Sequence, residues 1–282
     1  MSWVGRIRLY PDEVIVMAVL NVSPESFYGG SVRVSSDEIR KFVQDSISGG
    51  ALIIDVGGMS TAPYRNTYVS EDIELERVRN AITAINELGL SVDISIDSQR
   101  SRVVHEALRL GATIVNDVSG FSDPQVLRHA KDMSASVIAV AHGVPVERVD
   151  PMGYVKSSIM EAVNRARSFG IDDSRIVVDP AIGFIRPGWI DSSQWDSCVL
   201  GRLGELKSLG FPVLVGVSRK SFIGKIAGEP DPAARLPGSM AAAVLSAEMG
   251  ANIIRAHDVR ETVQALLVAE AILHGKFRVK KH

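Results

Sequence analysis

Eight short apolar runs, each followed by a helical segment, constrain the fold of this chain more than any other feature. The runs are rich in β-branched residues and end in polar or turn-forming residues, which is typical of buried strands. They occupy 14–20, 52–56, 92–97, 112–118, 136–141, 175–178, 213–217 and 252–256. This alternation predicts a parallel sheet, and eight strand–helix units are the number that closes a (β/α)8 TIM barrel.

The spacing of these units also bears on domain organisation. No linker long enough to divide the 282 residues separates them, so we expect one domain over 1–282. A doubly wound open sheet is the alternative α/β fold. It is disfavoured because no glycine-rich dinucleotide loop follows the first strand.

Composition sets limits on partners and location. The formal net charge of −2 gives no indication of a nucleic-acid partner, and the apolar run 14–20 is too short to cross a membrane. Cys198 is the single cysteine, so we expect neither a disulfide framework nor a cysteine metal cluster. These features favour a cytoplasmic protein.

Polar residues stand at or just past the carboxyl ends of the predicted strands, where barrel enzymes carry their active sites. They are Asn21, Asp55, Asp97, Asn116, Asp117, His142, Asp179, Lys220, Arg255 and His257. A single buried aspartate can simply cap a neighbouring loop, but several ionisable groups from different strands each need a partner. The convergence therefore favours a binding site over a purely structural role.

These residues, together with Ser60 and Thr61 in the loop after the second apolar run, include two chemical groups. One group mixes carboxylate, amide and ammonium, which suits the rim of a flat heterocycle. Its members are Asp97, Asn116, Asp179 and Lys220. The other offers cations, hydroxyls and an amide, which suits a diphosphate with Mg²⁺. Its members are Asn21, Ser60, Thr61, Arg255 and His257. The sequence has no HExxH or G-x-S-x-G motif, which disfavours nucleophilic hydrolysis.

On these residues and the stretches around them, the chain resembles the dihydropteroate synthase family over 14–273. The similar stretches occur in order, each at a predicted strand end. They are LNVSPESF (20–27), IIDVGGMST (53–61), ISIDS (94–98), NDVSG (116–120), DPAIGF (179–184), PVLVGVSRKSFIG (212–224) and RAHDVRE (255–261).

The resemblance implies an enzyme of folate biosynthesis. Such an enzyme condenses 6-hydroxymethyl-7,8-dihydropterin diphosphate with p-aminobenzoate and releases diphosphate. The implied catalytic residues are Asp97, Lys220 and Arg255. The implied pterin site consists of Asp97, Asn116, Asp179, Phe184 and Lys220. The implied diphosphate site consists of Asn21, Ser60, Thr61, Arg255 and His257, with Asn21 near Mg²⁺. Ser221 and Arg65 are placed beside the arylamine, and the family suggests a homodimer.

Departures from the family pattern keep two alternatives open. The arginine expected after Thr61 is replaced by Ala62, with Arg65 three residues further on, and Arg186 stands where lysine is expected. One alternative is the same pterin half-reaction with another arylamine, such as a ribofuranosylaminobenzene phosphate. The other is a non-catalytic pterin-binding paralogue, against which the retention of Asp97, Lys220 and Arg255 argues.

Overall fold

The computed structural model of the chain describes residues 2–11, 13–23, 35–59 and 69–275. The strands within these ranges are β1 Ser2–Val4, β2 Ile7–Leu9, β3 Ile15–Asn21, β4 Ala51–Gly57, β5 Asp93–Asp97, β6 Ile114–Asp117, β7 Ser136–Val140, β8 Ile176–Asp179, β9 Leu214–Val215 and β10 Ile253–Ala256. The helices are α1 Ser36–Gly49, α2 Glu71–Asn86, α3 Ser101–Arg109, α4 Pro124–Asp132, α5 Pro151–Ser168, α6 Ser192–Gly201, α7 Ser221–Ala227, α8 Leu236–Glu248 and α9 Val259–His274. Short 3₁₀ segments lie at Asp173–Arg175, Leu203–Leu209 and Pro232–Arg235.

Strands β3 to β10 form one eight-stranded parallel sheet in the order β8-β7-β6-β5-β4-β3-β10-β9. A parallel bridge between Val178 and Val213 joins the two outer strands, and the Val178 N–H donates to the Pro212 carbonyl at 2.9 Å. The strand interiors are almost entirely buried, as expected when helices cover a parallel sheet. The predicted TIM barrel is therefore confirmed.

The first two strands pair antiparallel and lie outside the barrel sheet. The hairpin contacts the amino ends of the barrel strands: the Gly5 N–H donates to Ser136 Oγ, and Arg6 binds Asp93. This places the hairpin at the end of the barrel opposite to the predicted site. The sequence analysis did not predict it, because two strands of three residues are too short to show a period.

The segment after β9 also differs from the sequence analysis. The sequence analysis did not predict a helix directly after Lys220, whereas the chain forms the seven-residue helix α7, which ends at Gly228 in a left-handed conformation (φ 72°). Before β9, helix α6 ends at Gly201, and the chain continues after Arg202 as the 3₁₀ segment Leu203–Leu209. Helix α7 matters for the site, because it begins directly after Lys220.

Candidate active site

The register of the sheet brings three of the expected site residues into one row. Asn21 pairs with Gly57, Gly57 with Asp97, and Asp97 with Asn116, so the row crosses β3, β4, β5 and β6 at their carboxyl ends. Gly57 lies between the two side chains, since a Cβ there would make ordinary van der Waals contact with Asn21 Oδ1 at 3.7 Å and with Asp97 Cβ at 3.8 Å. The sequence prediction that strand ends would bring these side chains together agrees with this register.

Arg255 on β10 connects the carboxylates of two other strands. Its Nε donates to Asp55 Oδ2 at 2.7 Å, and its Nη2 donates to Asp97 Oδ2 at 2.8 Å. Asn116 Nδ2 donates to the same oxygen of Asp55 at 3.2 Å. Asp55, which the resemblance did not assign to the site, is thus a central part of it. A guanidinium carries five N–H groups, so these two bonds leave further donors for an anion.

Two carboxylate oxygens at this centre are buried and have no hydrogen-bond partner in the described part of the chain: Asp55 Oδ1 and Asp97 Oδ1. Buried acceptors are nearly always paired in folded proteins. Burial raises the pKa of Asp97 to about 7, although Arg255 acts in the opposite direction. A ligand that offers N–H donors would satisfy these oxygens and favour the charged carboxylate.

A second cluster lies around the ends of β8 and β9. Asp179 Oδ1 accepts from the Ala181 N–H at 2.7 Å, and Lys220 Nζ lies 4.2 Å from the centroid of the Phe184 ring. Burial raises the pKa of Asp179 to about 6, against the opposing effects of the Ala181 N–H and Lys220. Burial, together with Arg255, lowers the pKa of Lys220 to about 8. This cluster offers an acceptor, a donor and an aromatic face, which matches the requirements of a flat polar heterocycle.

His257 follows β10 directly and faces the loop after β9. Its backbone N–H donates to Ser218 Oγ at 3.2 Å, and its Nδ1 lies 3.1 Å from the same hydroxyl. Burial, together with the neighbouring cations Arg255, Lys220 and Arg219, lowers its pKa to about 3. His257 is therefore a neutral hydrogen-bonding group near pH 7, whereas the sequence analysis counted it among the cations.

Arg219, which lies inside the SRKS stretch, has its side chain directed away from the strand-end cluster. Its side chain donates to both carboxylate oxygens of Asp258, at 2.8 and 2.7 Å, and to the carbonyls of Pro232 and Ala233. It is 5% exposed and has a left-handed backbone (φ 55°). These contacts tie the loop after β9 to β10 and to the segment before α8, so Arg219 holds the loop that carries Lys220.

Ser221 opens α7 at the rim of the Lys220 cluster. Its Oγ accepts from Arg186 Nη2 at 2.9 Å, and Arg186 also donates to the Gly183 carbonyl at 3.3 Å. The replacement of lysine by arginine at position 186 thus affects the neighbourhood of Ser221. Ser60, Thr61 and Arg65 lie outside the described residues.

Within the described ranges, no group of three or more His, Cys, Asp or Glu side chains is arranged to hold a metal ion. A search of the same residues for a membrane-spanning helix finds none that is long and apolar enough.

The barrel carries carboxylates, an amide and buried cations at its strand ends. The sequence profile of the family described as "Pterin binding enzyme" matches residues 17–257, so the chain falls in the class of pterin-binding enzymes. The curated dihydropteroate synthase of Synechocystis sp. is 38% identical over 265 residues, covering 91% of this chain and 89% of that protein. The solved dihydropteroate synthase of Yersinia pestis, in a sulfonamide drug complex, is 32% identical with a TM-score of 0.88 and covers 98% of this chain and 100% of that one. The Xanthomonas albilineans enzyme, in complex with 7,8-dihydropteroate, is 31% identical with a TM-score of 0.81, covering 94% and 96% of the two chains. This chain belongs to the dihydropteroate synthase family.

Proposed function

We propose that this protein condenses 6-hydroxymethyl-7,8-dihydropterin diphosphate with p-aminobenzoate and releases diphosphate. One observation carries the proposal: Arg255 joins Asp55 and Asp97 while an oxygen of each carboxylate stays buried without a partner in the described chain. The complex of the Xanthomonas albilineans relative with 7,8-dihydropteroate gives independent support.

In this proposal the pterin lies across both clusters. Asp179 and Asp97 accept from its amino and ring N–H groups, and the Asn116 amide and the Lys220 ammonium bind its ring nitrogens and carbonyl. The Phe184 ring borders the same space, since it packs against Lys220 Nζ at 4.2 Å. The charged form of Asp179 is the one that accepts these bonds, and a pKa of about 6 makes it available at neutral pH.

The diphosphate binds at the end of β10. Arg255 supplies charge-assisted donors, and His257, which is neutral, supplies hydrogen bonding through its imidazole. Ser60 and Thr61 are assigned to the same group through the family resemblance.

The donor set fits Mg²⁺ bound mainly by substrate. Mg²⁺ keeps several waters and is commonly held by one or two protein oxygens together with substrate phosphates. The carboxamide oxygen of Asn21, in the row with Asp97, would be the protein ligand. When bound, the ion would neutralise part of the charge on the departing diphosphate.

The reaction breaks the bond between the pterin methylene carbon and the diphosphate oxygen and forms a bond from that carbon to the amine nitrogen, which loses a proton. Positive charge develops on the pterin methylene as diphosphate departs. Asp97, close to the pterin, stabilises that charge electrostatically, and Arg255 stabilises the leaving group. Lys220 orients the ring, so that the amine needs only to be positioned.

The family resemblance assigns the arylamine to Ser221 and Arg65. Ser221 lies next to Lys220 and accepts a hydrogen bond from Arg186, so a carboxylate at this rim would meet a hydroxyl and a nearby guanidinium. This arrangement is compatible with p-aminobenzoate.

Incubation of the pure protein with the dihydropterin diphosphate, Mg²⁺ and p-aminobenzoate tests the proposal. We expect stoichiometric formation of 7,8-dihydropteroate and diphosphate. A parallel reaction with a ribofuranosylaminobenzene phosphate examines the other arylamine. Pterin binding without release of diphosphate with either amine would contradict an enzymatic role.

We also propose that the chain works as one domain over 1–282, in the cytoplasm, and as a homodimer. The last point rests on large apolar side chains exposed on the neighbouring helices α8 and α9: Leu245, Val268, Ile272 and Leu273. Sedimentation analysis of the wild type and of Ile272→Lys tests it, with a dimer expected only for the wild type.

A further inference from the structure

Asp196 is a buried carboxylate that the mechanism above does not use. It lies on α6, and only 1% of its surface is exposed. Its Oδ1 accepts from the Gly183 N–H at 2.9 Å, while its Oδ2 is buried with no hydrogen-bond partner among the described residues. A buried carboxylate with so few partners is costly, so its presence on the core side of a helix calls for a specific role.

The helix that carries Asp196 is firmly fixed. The neighbouring Trp195 is 1% exposed and packs edge-to-face against Trp189 and Tyr154, with ring centroids 6.1 and 6.0 Å apart. The side chain of Asp191 caps the start of the helix by accepting from the Ser193 N–H at 2.8 Å. Asp196 is therefore presented to Gly183 from a rigid element.

Gly183 connects Asp196 to Lys220. It has a left-handed backbone (φ 83°), and a Cβ at this position would lie 2.9 Å from Lys220 Cδ and 3.5 Å from Lys220 Nζ. The backbone of Gly183 thus forms the surface on which the lysine side chain rests, with Phe184 beside its ammonium. A shift of Gly183 would therefore change the space in which the lysine side chain lies.

From these contacts we propose that Asp196 is a positioning residue for the pterin-binding Lys220, acting through Gly183. Asp196 fixes the Gly183 N–H, and the backbone of Gly183 then fixes the path of the lysine side chain. This role of Asp196 rests on the proposed function in one respect, because it requires that Lys220 contacts the pterin. The charges support it, because Asp179 and Asp196 both favour the protonated lysine against burial and Arg255.

A double-mutant cycle of Asp196 and Lys220 tests this role. The dissociation constant for 6-hydroxymethyl-7,8-dihydropterin is measured by calorimetry, which requires no turnover. We expect Asp196→Ala to weaken binding about 10-fold, because a small displacement of a binding group has effects of this order or larger. Asp196→Asn keeps an acceptor for the Gly183 N–H, so we expect it to restore affinity to within about 3-fold of the wild type. In a Lys220→Met background, Asp196→Ala should add little, because the two residues act as one unit.

Asp191→Ala is the matched control, since it removes the cap of the same helix and the ion pair with Lys225 on α7 but leaves the hydrogen bond to the Gly183 N–H in place. We expect it to lower the melting temperature and leave pterin affinity unchanged. If Asp196→Ala does not fold, Gly183→Ala displaces Lys220 from the same side and should weaken binding in the wild type but not in the Lys220→Met protein. Wild-type affinity in Asp196→Ala, or a full additional loss in the Lys220→Met background, would overturn the inference. Failure of the wild type to bind the pterin at all would instead overturn the proposed function.

Discussion

Strand β5 begins and ends with a buried aspartate, and the two have different surroundings. Asp93, at the amino end, receives three donors on one oxygen: the Arg6 N–H, Arg6 Nε and Thr113 Oγ1. Asp97, at the carboxyl end, accepts from Arg255 on one oxygen, while the other is buried without a partner in the described chain. The same residue type on the same strand thus stabilises the fold at one end and is available to a ligand at the other.

This difference follows from the chain elements that cover each end. The β1–β2 hairpin supplies donors to the amino ends of β5 and β7. At the carboxyl end, Arg255 binds both Asp97 and Asp55. One oxygen of each carboxylate has no hydrogen-bond partner in the described chain and can accept from a ligand. Substitutions at the two ends should therefore separate into effects on stability and effects on ligand binding.

Arg255→Ala should have the largest effect at the carboxyl end. Loss of a charge-assisted contact weakens binding of the diphosphate ester by about 10- to 100-fold. The free hydroxymethyl pterin, which has no diphosphate, should lose less. Calorimetry with both ligands measures the difference, with Arg255→Lys as the variant that retains the charge. An equal loss for the two ligands would indicate that Arg255 mainly supports the barrel.

Asp179→Asn should reduce pterin affinity about 10-fold. An amide cannot accept from both the amino and ring N–H groups of the pterin, and an unpaired buried donor costs about 1–3 kcal/mol. The melting temperature of the ligand-free protein should change little by comparison. If the pterin binds equally well to the variant, Asp179 does not belong to the pterin site.

The pH dependence of pterin binding should show an acid limb. Burial raises the pKa of Asp179 to about 6, so the accepting carboxylate predominates above that pH and is lost as the pH falls through it. Protonation of Asp179 alone should lower affinity about twofold at pH 6 relative to pH 7.5, and further below. Because the pKa of Asp97 is about 7, its protonation would add a loss of affinity that begins at a higher pH than the loss due to Asp179. Dissociation constants that do not vary between pH 5 and 7.5 would contradict the assignment of both carboxylates.

Substitutions at the amino end should have the smallest effects on ligand binding. Asp93→Ala leaves several donors without their acceptor and should lower the free energy of unfolding by about 1–3 kcal/mol. Arg6→Ala should cost less than about 1 kcal/mol, because the arginine side chain is 61% exposed. Urea unfolding measures both values. Pterin affinity should remain at the wild-type level, and a loss there would show that the two ends of the barrel are coupled.

The alternation of strands and helices made the barrel predictable from sequence, and the position of polar residues at strand ends made much of the site predictable. Asp97 and Asn116 lie in one row because parallel register follows from topology. The pairing of Asp55 with Arg255, 200 positions apart, was not predictable, because it depends on the pairing of β10, near the end of the chain, with β3, near its start. The neutral state of His257 was missed for a related reason, since it follows from burial among three cations brought in by folding.

Asp196 shows a further limit of strand-end arguments. It lies on a helix, and its hydrogen bond to the Gly183 N–H, which links it to Lys220, is one that no periodicity indicates. The hairpin and α7 were missed because elements of three to seven residues carry too little pattern. The sequence thus predicts features that repeat along the chain or form long elements. It does not predict features that depend on a single contact between distant segments.

The bridge between Val178 and Val213 has a consequence for amide hydrogen exchange. Strand β9 has two residues, so the closure between β8 and β9 rests on few backbone bonds among the described residues. Asp179 lies on one side of this junction and Lys220 follows the other, so a pterin held by both would span it. Local opening at this junction would separate Asp179 from Lys220. A ligand that binds only the closed form therefore suppresses the opening. Saturation with the pterin should therefore slow exchange of the Val178 amide, while exchange of the β3–β4 amides, in a longer ladder, stays the same.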